Sequence, residues 1–212
     1  MALDIASGKL TPTWQQQMAG DVNGDGVISG ADVAMILYYA ANGQWPTPGS
    51  ITARPARPQN LVVIKLDNAQ GRPGETIATT LRGENLFEWA GGDIIVTYDR
   101  THIASITNVA TTGIASGFQL SYRDDKNGQL RISLANVNPV SGSGAMATIR
   151  FQIANNAPPK STTTLALGSV KLTDLWGRDF ATSSLQQVIN KQNSQVTILN
   201  AWEWFFLPFV NR

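Results

Sequence analysis

From Leu61 to Leu199 the apolar residues recur at every second position, and that period restricts this part of the chain to β-structure. Val62, Ile64 and Leu66 share one strand face, and Ile77, Thr79 and Leu81 share another. Ile94, Val96 and Tyr98 continue the series, followed by Leu130, Ile132 and Leu134. Ala147, Ile149, Phe151 and Ile153 follow, then Leu165 with Leu167 and Val196 with Ile198. Turn signals separate these runs at Gly71-Arg72-Pro73-Gly74, Asp125-Lys126-Asn127-Gly128, Ser141-Gly142-Ser143-Gly144 and Pro158-Pro159. Short alternating strands at this spacing, with no helical pattern between them, predict a mainly β fold of the β-sandwich (jelly-roll) type. The charged fraction of 15% with 19 Gly suits a Thr-, Ser- and Asn-rich sheet surface, since an average domain is about one quarter charged.

The first sixty residues obey other rules. Leu10-Thr11-Pro12 reads as a helix start, with Thr11 as N-cap and Pro12 in the first turn, so a short helix is expected over Trp14 to Met18. A second is expected from Asp32 to Asn42, closed by Gly43. Its apolar stripe is Val33, Ile36, Leu37 and Ala40, while Met35, Tyr38 and Tyr39 make it apolar almost all round. Such a helix is either buried against the β-domain or presents a partner-facing side. Pro46, Pro48, Pro55 and Pro58 forbid regular structure and mark a stiff linker. The expected organisation is a helical module over 1–43, a linker over 44–60, the β-domain over 61–200 and an aromatic tail over 201–212.

Between the two helices lies Asp21-Val22-Asn23-Gly24-Asp25-Gly26-Val27-Ile28-Ser29-Gly30-Ala31-Asp32. It fits the calcium-loop template of oxygen ligands at alternate positions with glycine at the sharp turn. Asp21, Asn23 and Asp25 would give side-chain oxygens and Val27 its carbonyl. Ser29 would bind directly or through water, and Asp32 would close the loop. Gly26 supplies the turn, and Ile28 pins the loop to the core. Asp32 stands where Glu is usual; it is one methylene shorter, so the loop must draw in. Ca2+ is the expected cofactor, since several oxygens at flexible distances suit it better than Mg2+.

Gly20 to Gly43 resembles the second repeat of a dockerin, an EF-hand-like loop–helix module whose calcium loops typically end in Asp. Ala2 to Leu10 looks like the tail of a first repeat whose own loop is missing here. That resemblance implies partner recognition at Gly30, Ala31, Leu37 and Tyr38. A hydroxyl pair common at the first two positions in some dockerins is absent.

Leu61 to Leu199 resembles a cohesin, the β-sandwich that dockerins bind. The resemblance is carried by Gly71 to Thr76, by Ala90-Gly91-Gly92-Asp93-Ile94-Ile95-Val96-Thr97-Tyr98-Asp99, and by Gly142 to Phe151. It implies a partner-binding sheet face with Gly91, Asp93, Tyr122 and Asn136 at the matching positions. Gly91 lacks the amide often seen there, and Asn136 replaces a frequent acid. The implied function is calcium-dependent cohesin–dockerin assembly without bond chemistry, as in cellulosome-type proteins linked to polysaccharide degradation. The implied partners are dockerin- or cohesin-bearing proteins.

Other classes are weaker. The absence of cysteine excludes disulfides, zinc–thiolate sites and cysteine nucleophiles. His102 has no Cys or motif-placed Ser beside it and reads as structural. Asp124-Asp125 read as a hairpin turn rather than a carboxylate pair, and Gly142 and Gly144 lack the ending of a phosphate loop. An enzyme is therefore not expected. A net charge of +1 with scattered Lys and Arg argues against nucleic acid. No apolar run reaches the roughly 18–20 residues of a spanning helix. Met1 to Asp4 lacks the character of a signal peptide, so an export signal is expected outside this chain, and the expected location is extracellular or at the cell surface. The alternative is a carbohydrate-binding module with a calcium-stabilised appendage, which needs an exposed aromatic line from Trp89, Trp176 and Tyr122. The tail Ala201 to Arg212, dense in Trp and Phe, is expected to dock on the fold or to serve as a sorting segment.

Overall fold

The computed structural model describes residues 1–46, 61–181 and 188–200. Three helices precede nine strands: α1 (Ala2–Ala6), α2 (Trp14–Gly20), α3 (Gly30–Asn42), β1 (Val62–Leu66), β2 (Ala69–Gly71), β3 (Thr76–Thr97), β4 (Ile103–Thr111), β5 (Gln119–Asp124), β6 (Gln129–Ile153), β7 (Thr162–Thr173), β8 (Ile189–Gln192) and β9 (Ser194–Ile198). The architecture is mainly β, as the alternation predicts.

β3 and β6 are each long enough to serve both layers. The first half of β3 pairs with β1 and with the second half of β6, which carries β4 on its far side; β8 joins β1 in parallel. The second half of β3 pairs with the first half of β6 and with β7. β5 borders β6, and β9 links β7 to β2. Register shifts between Leu81 and Gly91 break the β3–β6 ladder where β3 passes from one layer to the other. Asn85 and Glu88 take positive φ within that crossing. The strand runs continuously; its pairing does not.

The core lies between the layers and is filled by the expected inward residues. Ile64, Leu81, Ile94, Leu130, Ile132, Leu134, Ile149 and Phe151 are fully buried. Trp89 is as deeply buried at the β3 crossing, with its ring stacked on Phe118 at 4.0 Å between centroids. Its indole N–H donates to the Gly91 carbonyl at 2.9 Å. Of Ile77, Thr79 and Leu81, read as sharing one face, Thr79 and Leu81 are buried and Ile77 is only half-buried.

The helices sit near their expected places with two corrections. α2 is capped by Thr13, not Thr11, because Thr13 has Gln16 three residues on: Gln16 N–H donates to Thr13 Oγ1 and Thr13 N–H to Gln16 Oε1. α3 begins at Gly30 rather than Asp32, because Ser29 and Asp32 form the same reciprocal cap. Its end is as predicted, with Gly43 in the left-handed conformation at φ 70°. Most of the linker and the aromatic tail lie outside the described residues. No described helix is long and apolar enough to cross a membrane.

Candidate functional site

The loop 21–32 is organised by its own acidic and amide side chains. Asp21 accepts N–H bonds from Asp25 at 3.1 Å and Gly26 at 2.9 Å, and Asn23 Oδ1 accepts from Asp25 at 2.9 Å. Gly24 and Gly26 have φ of 73° and 89°, which a side chain would resist. Ile28 is buried against Gly20, where an added Cβ would lie 2.6 Å from Ile28 Cδ1. Asp25 Oδ1 accepts the Val27 N–H, leaving Oδ2 to Asn23 Nδ2 and to Lys171 Nζ at 2.9 Å.

Asp32 closes the loop from inside. Oδ1 accepts from the Val22 and Asn23 N–H groups at 3.0 and 3.2 Å, and Oδ2 accepts from Ser29 N–H and Oγ at 2.9 and 3.0 Å. Burial pushes the Asp32 carboxyl above its ordinary range, against the opposing pull of the Ser29 and Asn23 donors. Among the described residues no three His, Cys, Asp or Glu side chains gather into a metal-type cluster. The loop offers carboxylate, amide, hydroxyl and carbonyl oxygens, the ligand types that hard cations such as calcium take.

α3 starts directly on the outer face of the second layer. A Cβ on Gly30 would lie 2.6 to 2.7 Å from backbone atoms of Leu134 and Gly92. A Cβ on Gly91 would lie 2.4 Å from the Gly30 carbonyl oxygen. Gly30 N–H, one of the donors a helix start leaves without an intrahelical partner, donates to Asp93 Oδ2 at 3.2 Å. Ser133 Oγ donates to the other Asp93 oxygen. Burial pushes the Asp93 carboxyl up, opposed by these two bonds and by the Lys171 charge.

Around this point polar contacts and a small apolar cluster share the contact. Ser121 Oγ donates to Asp4 Oδ1 at 2.9 Å and lies 3.0 Å from Ser7 Oγ, while Arg123 donates to the Gly8 carbonyl. The Lys9 ammonium stands 5.2 Å from the centre of the Tyr122 ring. A small apolar cluster of Val33, Ala34, Ala90, Ala135 and Leu175, with Leu3, Leu37 and Tyr38 against it, completes the seat.

The two sets of recognition residues therefore lie largely together. Gly30 and Ala31 are buried; Leu37 and Tyr38 are half-buried against the small cluster. Gly91 and Asp93 touch α3, but Tyr122, expected on the same face, packs against the main core with Lys9 at its ring, and it is its neighbour Ser121 that meets the module. Asn136 is not drawn in: its Oδ1 accepts the Asn138 N–H at 3.2 Å within its own strand. Ala40, expected in the buried stripe, is exposed. Sequence reasoning missed Ser121, Arg123, Ser133 and Lys171. The run of small residues at Ala90-Gly91-Gly92 was the available signal, because glycines inside a strand often mark close approach of another backbone.

The aromatic line needed for carbohydrate binding does not form. Trp89 is fully buried, the half-buried Trp176 ring carries Arg178 at 4.9 Å, and Tyr122 faces Lys9. His102 Nδ1 is 3.0 Å from Asp99 Oδ2 and 2.9 Å from Thr101 Oγ1, a local turn arrangement. Asp124 accepts the Tyr98 hydroxyl at 2.6 Å, and Asp125 accepts the Asn127 and Gln129 N–H groups, so both are structural hairpin residues as expected.

A family model described as the cohesin domain matches residues 62–199. The fold is similar to a non-cellulosomal cohesin of Archaeoglobus fulgidus, with a TM-score of 0.56, 16% identity, and coverage of 66% of this chain and 93% of that one. It is also similar to the sixth cohesin of scaffoldin B from Acetivibrio cellulolyticus, solved with a Cel5 dockerin variant (TM-score 0.55, 17% identity, 66% and 99% covered). A third similar structure is the OlpC cohesin of Clostridium thermocellum in complex with the Doc435 dockerin (TM-score 0.56, 13% identity, 70% and 99% covered). The search of curated proteins found no match.

Proposed function

The chain belongs to the cohesin family through residues 62–199, and from that premise we propose that its second-layer face captures dockerin-type loop–helix modules on other proteins. Cohesin domains are non-catalytic interaction modules. The observation that carries the reading is the seat itself: a loop–helix start rests on β3 with Gly30 against Gly91 and its first N–H capped by Asp93.

Binding here is positioning. Asp93 offers a carboxylate to the electropositive start of an incoming helix. Gly91 and Gly92 let the two backbones touch, Ser133 holds Asp93 in place, and Lys171 reaches an acidic loop beside the helix. In the N-terminal module, which we read as a partial dockerin, Asp21, Asn23, Asp25, Val27, Ser29 and Asp32 would hold Ca2+. Bound calcium would supply charge that ties the loop to the start of α3. We place the protein outside the cell or on its surface, in assemblies concerned with polysaccharide degradation.

Lys171 Nζ and Asn23 Nδ2 share the Asp25 oxygen that Val27 does not use, so the ammonium would compete with calcium for it. Lys171→Met is expected to tighten calcium binding by up to about fivefold, the scale of a partly exposed ion pair; calorimetric titration reads it. The function is tested with a full-length chain carrying Gly30→Trp, which unseats its own module from the face, by capture from a secreted protein fraction with calcium and with excess chelator. Retention of dockerin-bearing proteins only with calcium is the expected result. Retention on insoluble polysaccharide, with no dockerin-bearing protein captured, would overturn the reading.

A further inference from the structure

Gly30 and Gly91 have no local reason to be glycine. Gly30 is helical, and neither takes a positive φ. Each is opposed by the other side of the contact: the atoms nearest an added Cβ on Gly91 belong to Gly30 and Ala31, and those nearest one on Gly30 belong to Gly92 and Leu134. The closest obstruction at each glycine comes from across the contact.

The described sheet ladders begin at Val62, so no described residue of the module contributes a strand to either layer. Removing the module leaves every pairing in place. What it uncovers is mixed: Asp93, Ser121, Arg123 and Lys171 on the sheet, Asp4, Gly8, Asp25 and the Gly30 N–H on the module, and between them the small apolar cluster of Val33, Ala34, Ala90, Ala135 and Leu175. A small apolar patch ringed by polar contacts is the composition of a contact between domains, and such contacts behave like transient interfaces.

We propose that residues 1–43 and the second-layer face are a self-complementary pair, closed within one chain at rest and able to close between two copies. The face of a single chain is then capped by its own module, and the partner it accepts in trans is the loop–helix module of a second copy. This rests on the reading of that face as a loop–helix recognition surface, and it adds self-occupancy and exchange.

Two full-length variants test it. Gly30→Trp disables the module and uncovers the face; Gly91→Trp blocks the face and releases the module. By sedimentation in calcium each is expected to be a monomer, and mixing them is expected to give a one-to-one species of twice the mass. A chain with both substitutions is expected to pair with neither. Two folded variants that stay monomeric on mixing would overturn the proposal, as would either variant dimerising by itself. Should tryptophan compromise folding, Gly30→Ala and Gly91→Ala place a single Cβ in the same clash and are expected to pair more weakly. If the mixture stays monomeric while Gly30→Trp still captures dockerin-bearing proteins, self-pairing falls and the recognition reading stands. Capture by neither removes both.

Discussion

Replacing Trp89 with alanine is expected to destabilise the β-domain by about 3–5 kcal/mol. The ring is fully buried and stacked on Phe118, and it fills the crossing where the β3–β6 ladder is interrupted. Few backbone bonds are available there to draw the layers together, so the cavity persists. The loss also frees the Gly91 carbonyl that the indole N–H holds, so the docking strand is loosened from within. For a chain of this size the melting temperature should fall by roughly 6 to 20 °C. Trp89→Phe, which keeps ring stacking and loses only the N–H and part of the volume, should fall much less. Denaturant unfolding by circular dichroism separates the two, and equal stability of wild type and Trp89→Ala would contradict the assignment of this ring to the core.

The second large effect is expected at Asp32. Its carboxylate answers four donors at once, three of them backbone N–H groups. Asp32→Ala leaves those groups without their acceptor beside a buried helix start, a cost of about 1–3 kcal/mol. It also removes the closing oxygen of the proposed calcium loop. In the wild type, calcium at a hundredfold excess over its dissociation constant should stabilise the module by about 2.7 kcal/mol, reversed by chelator. In Asp32→Ala that calcium response should vanish. Asp32→Asn separates the two roles: one amide oxygen still serves part of the donor set, and the charge that burial disfavours is gone. It should fold better than the alanine variant and still fail to respond to calcium. A calcium-dependent melting shift that survives both substitutions would contradict the loop assignment. The β-domain signal should change little in either variant, because Asp32 makes its hydrogen bonds within residues 22–32.

How much of this was legible in the sequence depended on whether period and pairing agreed. Where a strand has one regular buried face, as in Leu130-Ile132-Leu134, alternation located it. β4 escaped notice because its ladder to β6 shifts register near Ile103 and Ile106, which spaces the buried Ile103, Ile106 and Val109 by three residues. β5 escaped because its buried centre is Ser121, a polar residue that faces the N-terminal module rather than the core. The parallel edge pairs of β8 with β1 and β2 with β9 carry no short-range signal at all.

The candidate site shows the same division. The loop residues stand in one run with a glycine-dependent turn, so the sequence exposed them. The seat is assembled from Gly30, Gly91, Ser133 and Lys171, which lie far apart in the chain. Only the small residues at Ala90-Gly91-Gly92 hinted that another backbone would come close, and nothing local said whose. Trp89, which the carbohydrate-binding alternative needs on the surface, is turned inward by the crossing of β3, a feature that no local pattern announces.

The most direct test of the central claim is calorimetric titration of calcium-loaded dockerin modules into the full-length Gly30→Trp chain, repeated with the chain that also carries Gly91→Trp. The account predicts saturable one-to-one binding to the first and no binding to the second. Equal binding to both, or none to the first from any dockerin tried, would contradict the assignment of the second-layer face as the recognition surface.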